Sequence, residues 1–150
     1  MGEGQETCSG AEIIFQSITK VNTEKLELDK FHTWMETDGI ARTRVKPKAE
    51  IHLHDAEENT AAVAAFYSGK KFPLLVDIRN IKSISRQARE HFTLKGRESV
   101  VNAYAMVLSS SLSRMIGNFF LTFDKPAVPV KIFNDDAAAL TWLNRFVQQP

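Results

Sequence analysis

The rhythm of apolar and polar positions changes along the chain and separates strands from helices. In KLELDKFHTWMET (25–37) Leu26 and Leu28 alternate with charged residues, and Phe31, Trp34 and Met35 follow. After Asp38-Gly39 the run IARTRVK (40–46) alternates again, with Ala41, Thr43 and Val45 on one face and Arg42, Arg44 and Lys46 on the other. Two alternating runs across an Asp-Gly pair predict a β-hairpin, and Pro47 ends its second strand. The stretch HLHDAEENTAAVAAFYSG (52–69) then shifts to helical spacing. Ala56, Thr60, Val63, Ala64 and Tyr67 form its apolar stripe, Asp55, Glu57 and Glu58 sit where the helix dipole favours acids, and Gly69 ends it.

Beyond this point the two rhythms alternate. PLLVDIR (73–79) is a near-continuous apolar run of strand length, the pattern of a strand covered on both faces. SRQAREHFTL (85–94) reads as a helix capped by Ser85, NAYAMVLSS (102–110) as a strand, and SLSRMIGNFFLTF (111–123) as a helix stopped by Lys125-Pro126. VKIFN (130–134) is the last strand, and Asn134 caps a helix over DDAAALTWLNRFV (135–147), whose Leu140, Leu143 and Val147 face the core beside Phe146. The order ββαβαβαβα predicts a single α/β domain. Its mixed, mostly parallel sheet is led by an antiparallel hairpin at or near an edge, with helices packed on the sheet. IIFQSIT (13–19) reads as either a strand or a short helix. Residues 1–24 are otherwise expected to be a polar, partly flexible segment before a domain spanning 25–150.

Composition narrows the function classes. The chain has 150 residues, 43% hydrophobic and 25% charged, with a net charge of +1, so no global field draws it to nucleic acid. One cysteine, Cys8, allows neither an internal disulfide nor a cysteine-based zinc site. No apolar run approaches the length of a membrane span, and the first residues lack the pattern of a secretory signal; a cytoplasmic location is expected.

The element order, together with PLLVDIRNIKSISRQAR, SRMIGNFF and the ending FNDDAAALTWL, resembles the STAS domain of anti-sigma-factor antagonists, and most of all a divergent branch of STAS-like bacterial proteins. The likeness covers roughly residues 25 to 148. It implies a regulatory or ligand-binding module without catalytic turnover. In signalling members a strand ending in Asp-Leu-Ser leads to an Asp-Ser-Ser-Gly-like segment whose serine a partner kinase phosphorylates. Here Asp77, Ile78 and Arg79 stand at the strand end, Ser85 falls on the aspartate and Arg86 on the phosphorylated serine, and the glycine is missing. The resemblance therefore implies no phosphorylation switch, although a register shifted by one would return Ser85 to that role.

In sheets of this kind ligands gather beyond the carboxyl ends of parallel strands. Two loops are expected to meet there. One carries Arg79, Ser83, Ser85 and Arg86; the other carries Ser109, Ser110, Ser111, Ser113 and Arg114. Each leads into a helix N-terminus with free N–H groups. Arg86, Arg89 and Arg114 near helix starts oppose the dipole at about 0.3–1 kcal/mol each. An anion between the two helix starts would reverse that penalty, which makes Arg79, Ser83, Ser85, Arg86, Ser109, Ser111 and Arg114 a candidate phosphate or carboxylate site. The plainer reading is that the serines are helix caps and the arginines pair with acids such as Glu90 or Glu98.

Other chemistry is thinner. His52-x-His54-Asp55 has the look of metal ligands, but no third ligand is spaced to join them, so no metal is expected. Asp77 as an acid or base lacks a positioned partner, and its plainer reading is a carboxylate that pairs with a neighbouring arginine or caps backbone N–H groups; no nucleophile elbow, Walker loop or dinucleotide fingerprint occurs. Arg42, Arg44, Lys46 and Lys48 read as a solvated strand face that guards an edge, since nucleic-acid binding would interleave aromatics. The wide apolar sector of Leu112, Met115, Ile116, Phe119, Phe120 and Phe123, with Gly117 beside it, is either a broad core face, a homodimer contact or the rim of an apolar pocket. The expectation is a non-enzymatic, cofactor-free binding or regulatory module that acts through a protein partner or a small ligand. The alternative is a carrier of an amphipathic anion, with Phe119–Phe123 roofed by Arg79, Arg86 and Arg114. A small enzyme built on Asp77 comes last.

Overall fold

The computed structural model describes residues 25–95, 100–122 and 128–148, apart from the side chains of 93–95, 117 and 119–122. The readings of residues 1–24 and of Phe119, Phe120 and Phe123 as a pocket wall thus lie outside the described residues, as does Glu98 as a partner for an arginine. The chain forms β1 (Leu26–Glu27), β2 (Phe31–Met35), β3 (Ala41–Val45), β4 (Glu50–Ile51), α1 (Leu53–Ala64), β5 (Phe72–Asp77), β6 (Ser83–Ile84), α2 (Arg86–Lys95), β7 (Val101–Val107), α3 (Ser111–Thr122), β8 (Val130–Phe133) and α4 (Asp136–Leu143), which ends in a tight turn over Asn144–Phe146. Six strands make one sheet in the order β1-β2-β3-β5-β7-β8, and β4 and β6 pair as a small second one. β1, β2 and β3 are joined antiparallel, while β3, β5, β7 and β8 run parallel.

The hairpin forms across Asp38-Gly39. Gly39 takes φ 82°, a region in which a side chain would be strained, and its N–H donates to the Glu36 carbonyl at 3.1 Å. The hairpin lies near one edge of the sheet as expected, but β3 itself is interior, between β2 and β5, so its basic residues guard no edge. Arg42 is accordingly buried rather than solvated. Its guanidinium donates to both Asp38 oxygens, at 2.8 and 2.7 Å, and to the Ile40 carbonyl.

Helices cover both faces. Ala56 of α1, Ala88 of α2 and Ile116 of α3 join Phe31, Val45, Ile78 and Met106 in one core. On the other face, Ala139 and Leu143 of α4 lie over Ile40, Leu75, Ala103, Ala105 and Val107, where the two alanines let the helix approach. Pro73 has no N–H to give, and the β5–β7 register shifts there, so that Phe72 faces Val101 but Pro73 faces Ala103. The skipped residue is Asn102. One step of slip flips the faces, so Val101 packs with Val63 and Phe72 while Ala103 and Ala105 turn to α4.

α1 stops at Ala64, earlier than its stripe suggested, and Tyr67 is exposed. Asn59, not Thr60, faces the sheet. Its Oδ1 accepts from the hydroxyls of Thr33 at 2.6 Å and Thr43 at 3.5 Å, which satisfies three buried polar groups at once. At α4 the cap is Asp135 rather than Asn134; its carboxylate accepts the Ala138 N–H at 2.9 Å.

Candidate functional site

The parallel strands all end at one rim, and the register decides which charges meet there. Arg44 of β3 lies directly opposite Asp77 of β5. Its Nε donates to Asp77 Oδ2 at 3.2 Å. Two residues on, Arg79 folds back: Nε donates to Oδ1 at 3.0 Å and Nη2 to Oδ2 at 2.8 Å, a bidentate fork. The same Nη2 also donates to Asp136 Oδ1 at 2.8 Å, and Arg44 stands 3.7 Å from the other Asp136 oxygen. Asp136 opens α4, where a carboxylate also meets the positive end of the dipole. The four groups form a closed set of two cations and two anions.

Asp77 is the buried member, with a side chain 6% exposed. Burial alone would push its carboxyl up. Hydrogen bonds from the Arg79 side chain and backbone N–H, with the charges of Arg79 and Arg44, outweigh that and hold it below the usual carboxylate range. The bond to Asp77 in turn raises Arg79 above its ordinary value. An acid so held stays ionised at neutral pH and has no proton to trade.

The serines are engaged locally. Ser85 accepts the Ala88 N–H at 3.1 Å and caps α2. Ser110 accepts the Ser113 N–H at 3.1 Å; the buried Ser113 hydroxyl accepts the N–H groups of Ser109 and Ser110 and donates to the Ser110 carbonyl. The start of α3 is thus a reciprocal capping box. The two expected loops do adjoin, since the Ser109 hydroxyl reaches the Arg79 carbonyl at 3.5 Å. Ser83, however, belongs to a strand and not to a loop: β6 pairs with β4 at Glu50 and Ile51. Arg86 pairs with Glu90 at 2.8 Å on the exposed side of α2. Ser111 is exposed at the start of α3, and Arg114 donates to Asn134 Oδ1 at 2.7 Å. Among the described residues no hydrogen bond or ion pair joins Ser83, Ser85 or Arg86 to Ser109, Ser111 or Arg114.

A family model described as a domain of unknown function, DUF7793, matches residues 33–147. The chain belongs to that family. No curated protein matches it. Among solved structures it is similar to an uncharacterised protein of the DUF3478 family with a SpoIIAA-like fold from Shewanella loihica PV-4, at 19% identity and a TM-score of 0.57, over 75% of this chain and 91% of that one. The DUF7793 chain therefore has the SpoIIAA-like, or STAS-like, fold that its element order resembles. Among its described residues no helix is long and apolar enough to cross a membrane.

Sequence reasoning missed two rim residues, Arg44 and Asp136. Both are visible only once the strand register is known, because 33 residues separate Arg44 from Asp77 and 57 separate Arg79 from Asp136. It also missed Asp29. The fold carries this turn residue to the start of α1, where the ligand atoms of Asp29, His54 and Asp55 lie within 4.8 Å of one another.

Proposed function

We propose that the chain is a non-catalytic cytoplasmic binding module that engages a protein partner through the rim where α3 begins. The observation that carries this reading is Met115. It is 62% exposed on α3, one residue after Arg114 and at the rim where Asp77 and Asp136 are paired with Arg44 and Arg79. Large flexible apolar side chains on a helix surface suit adaptable protein contacts. The ionised, doubly paired Asp77 argues against a catalyst at this rim. A photo-crosslinking residue placed at Met115 in the full chain, compared with one at Lys70, tests the proposal. A discrete adduct, to a second copy or to another protein, is expected at position 115 and not at 70; equal or absent adducts at both sink it.

A second reading keeps one specific support. Arg114 is held by the neutral Asn134 and forms no ion pair with a described carboxylate, so its charge is available to a phosphate- or carboxylate-bearing ligand at the α3 start. Titration with inorganic phosphate would then move the amide signals of Ser111–Arg114 and leave those of Ser85–Arg86 in place; unmoved signals at Ser111–Arg114 exclude it.

A further inference from the structure

We propose that Asp29, His54 and Asp55 form a surface site for a divalent first-row cation of the zinc type. Asp29 lies in the turn between β1 and β2, closed by the Leu28 N–H donating to the Phe31 carbonyl at 2.9 Å. Phe31 pairs with Val45, so this turn sits at the carboxyl end of β3, and the chain enters α1 beside it. His54 and Asp55 belong to the first turn of α1, and one ligand atom from each of the three residues falls within 4.8 Å of the others.

The buried carboxylate points to a ligand. The Asp55 side chain is 1% exposed. Its Oδ2 accepts the His52 N–H at 2.9 Å, while its Oδ1 has no hydrogen-bond partner among the described residues. A buried carboxylate oxygen without a donor is costly. No lysine or arginine pairs with Asp29 or Asp55 among the described residues, so two carboxylates converge with only an imidazole between them. His54 Nε2 stands 3.2 Å from that oxygen, an ion-pair distance when the imidazole is protonated. Two donors bound at about 2.0–2.1 Å to one tetrahedral ion stand about 3.3 Å apart, so this pair is already spaced as ligands of a shared cation.

The surroundings fit the same role. The His52 N–H fixes the carboxylate through its other oxygen, and the His52 and His54 rings stack with centroids 6.1 Å apart and planes 6° from parallel, which orients the ligating imidazole. His54 and Asp29 are exposed, so the ion keeps water in its remaining position. One imidazole with two carboxylates favours zinc-like ions over magnesium or calcium, which prefer oxygen alone. The positive end of α1 opposes a cation, so the affinity is modest. Binding would fasten the β1–β2 turn to α1.

Zinc titration by calorimetry tests this, on the full chain carrying Cys8→Ser so that the thiol cannot supply the binding. One ion per chain is expected, with the imidazole NMR signals of His54 moving and a melting temperature that rises with zinc concentration. Asp29→Asn and His54→Gln alter exposed side chains and should leave the fold intact; each is expected to weaken binding at least about 10-fold and to abolish the thermal shift. Asp55→Asn should do the same if it folds. No saturable binding up to about 1 mM zinc, or an affinity unchanged in either exposed-residue variant, overturns the proposal.

Discussion

Two clusters of charge occupy the same rim of the sheet and are built in opposite ways. At the ends of β3 and β5, Asp77 and Asp136 meet Arg44 and Arg79, so every carboxylate has a guanidinium. At the start of α1, Asp29 and Asp55 converge on a histidine with no arginine or lysine paired to either among the described residues. The first cluster is complete as it stands and serves the fold. The second has two carboxylates and no lysine or arginine paired to them, and that marks where a cation from outside would fit. Counting compensated charges separates architecture from site more sharply than counting polar residues, of which this rim has many in both places.

The comparison breaks most visibly at Asp77. Asp77→Asn leaves two guanidinium groups short of their charged acceptor and should lower stability by roughly 1.5–3 kcal/mol in urea denaturation. A loss below half a unit on that scale would mean that the rim arginines find water as readily as they find Asp77. Ser113→Ala removes a buried hydroxyl that joins two N–H groups and a carbonyl; about 1–2 kcal/mol is expected from the same measurement. Acid sharpens the contrast further. The folded Asp77 carboxyl titrates below its unfolded value of ~3.9, so its contribution is whole above about pH 5 and fades as pH falls through the folded value. The stability gap between the natural chain and Asp77→Asn should therefore shrink steadily from pH 5 to pH 3. The smallest effect belongs to Asp29→Asn. In chelator it removes a carboxylate that faces Asp55 and should raise the urea midpoint slightly, while in zinc it should lose the metal-dependent gain.

Where a pattern is local, the sequence spoke clearly. Alternation around Asp38-Gly39, the covered run ending at Asp77 and the helices after Ser85 and Ser110 all rest on neighbours within one turn or one strand, and all stand in the structure. Periodicity could not say that β3 is interior, because an interior strand with a salt-bridged arginine and a solvated edge strand have the same alternation. Nor could it choose Asn59 over Thr60, two polar residues one position apart whose facing depends on Thr33 and Thr43 across the sheet. Two-residue strands such as β4 and β6 are too short to leave a rhythm at all. The candidate site suffered most, since its partners are brought together by register: the arginines, the serines and the local acids Glu90 and Asp77 were visible, but the reach of Arg44 to Asp77 and of both arginines to Asp136 was not.

The segment after α4 returns to the pole opposite this rim. Asn102, skipped in the ladder beside Pro73, donates to the Phe146 carbonyl at 2.8 Å, and Gly39 is bare enough to let Val147 lie where a methyl group would come within 3.0 Å of it. These two contacts buckle the last turn to the feet of strands that are not neighbours in sequence. A tether attached after Val147 would hold the molecule by its base and leave Met115, Arg114 and the α1 start facing outward, so immobilised protein keeps its whole candidate surface open to whatever is passed over it.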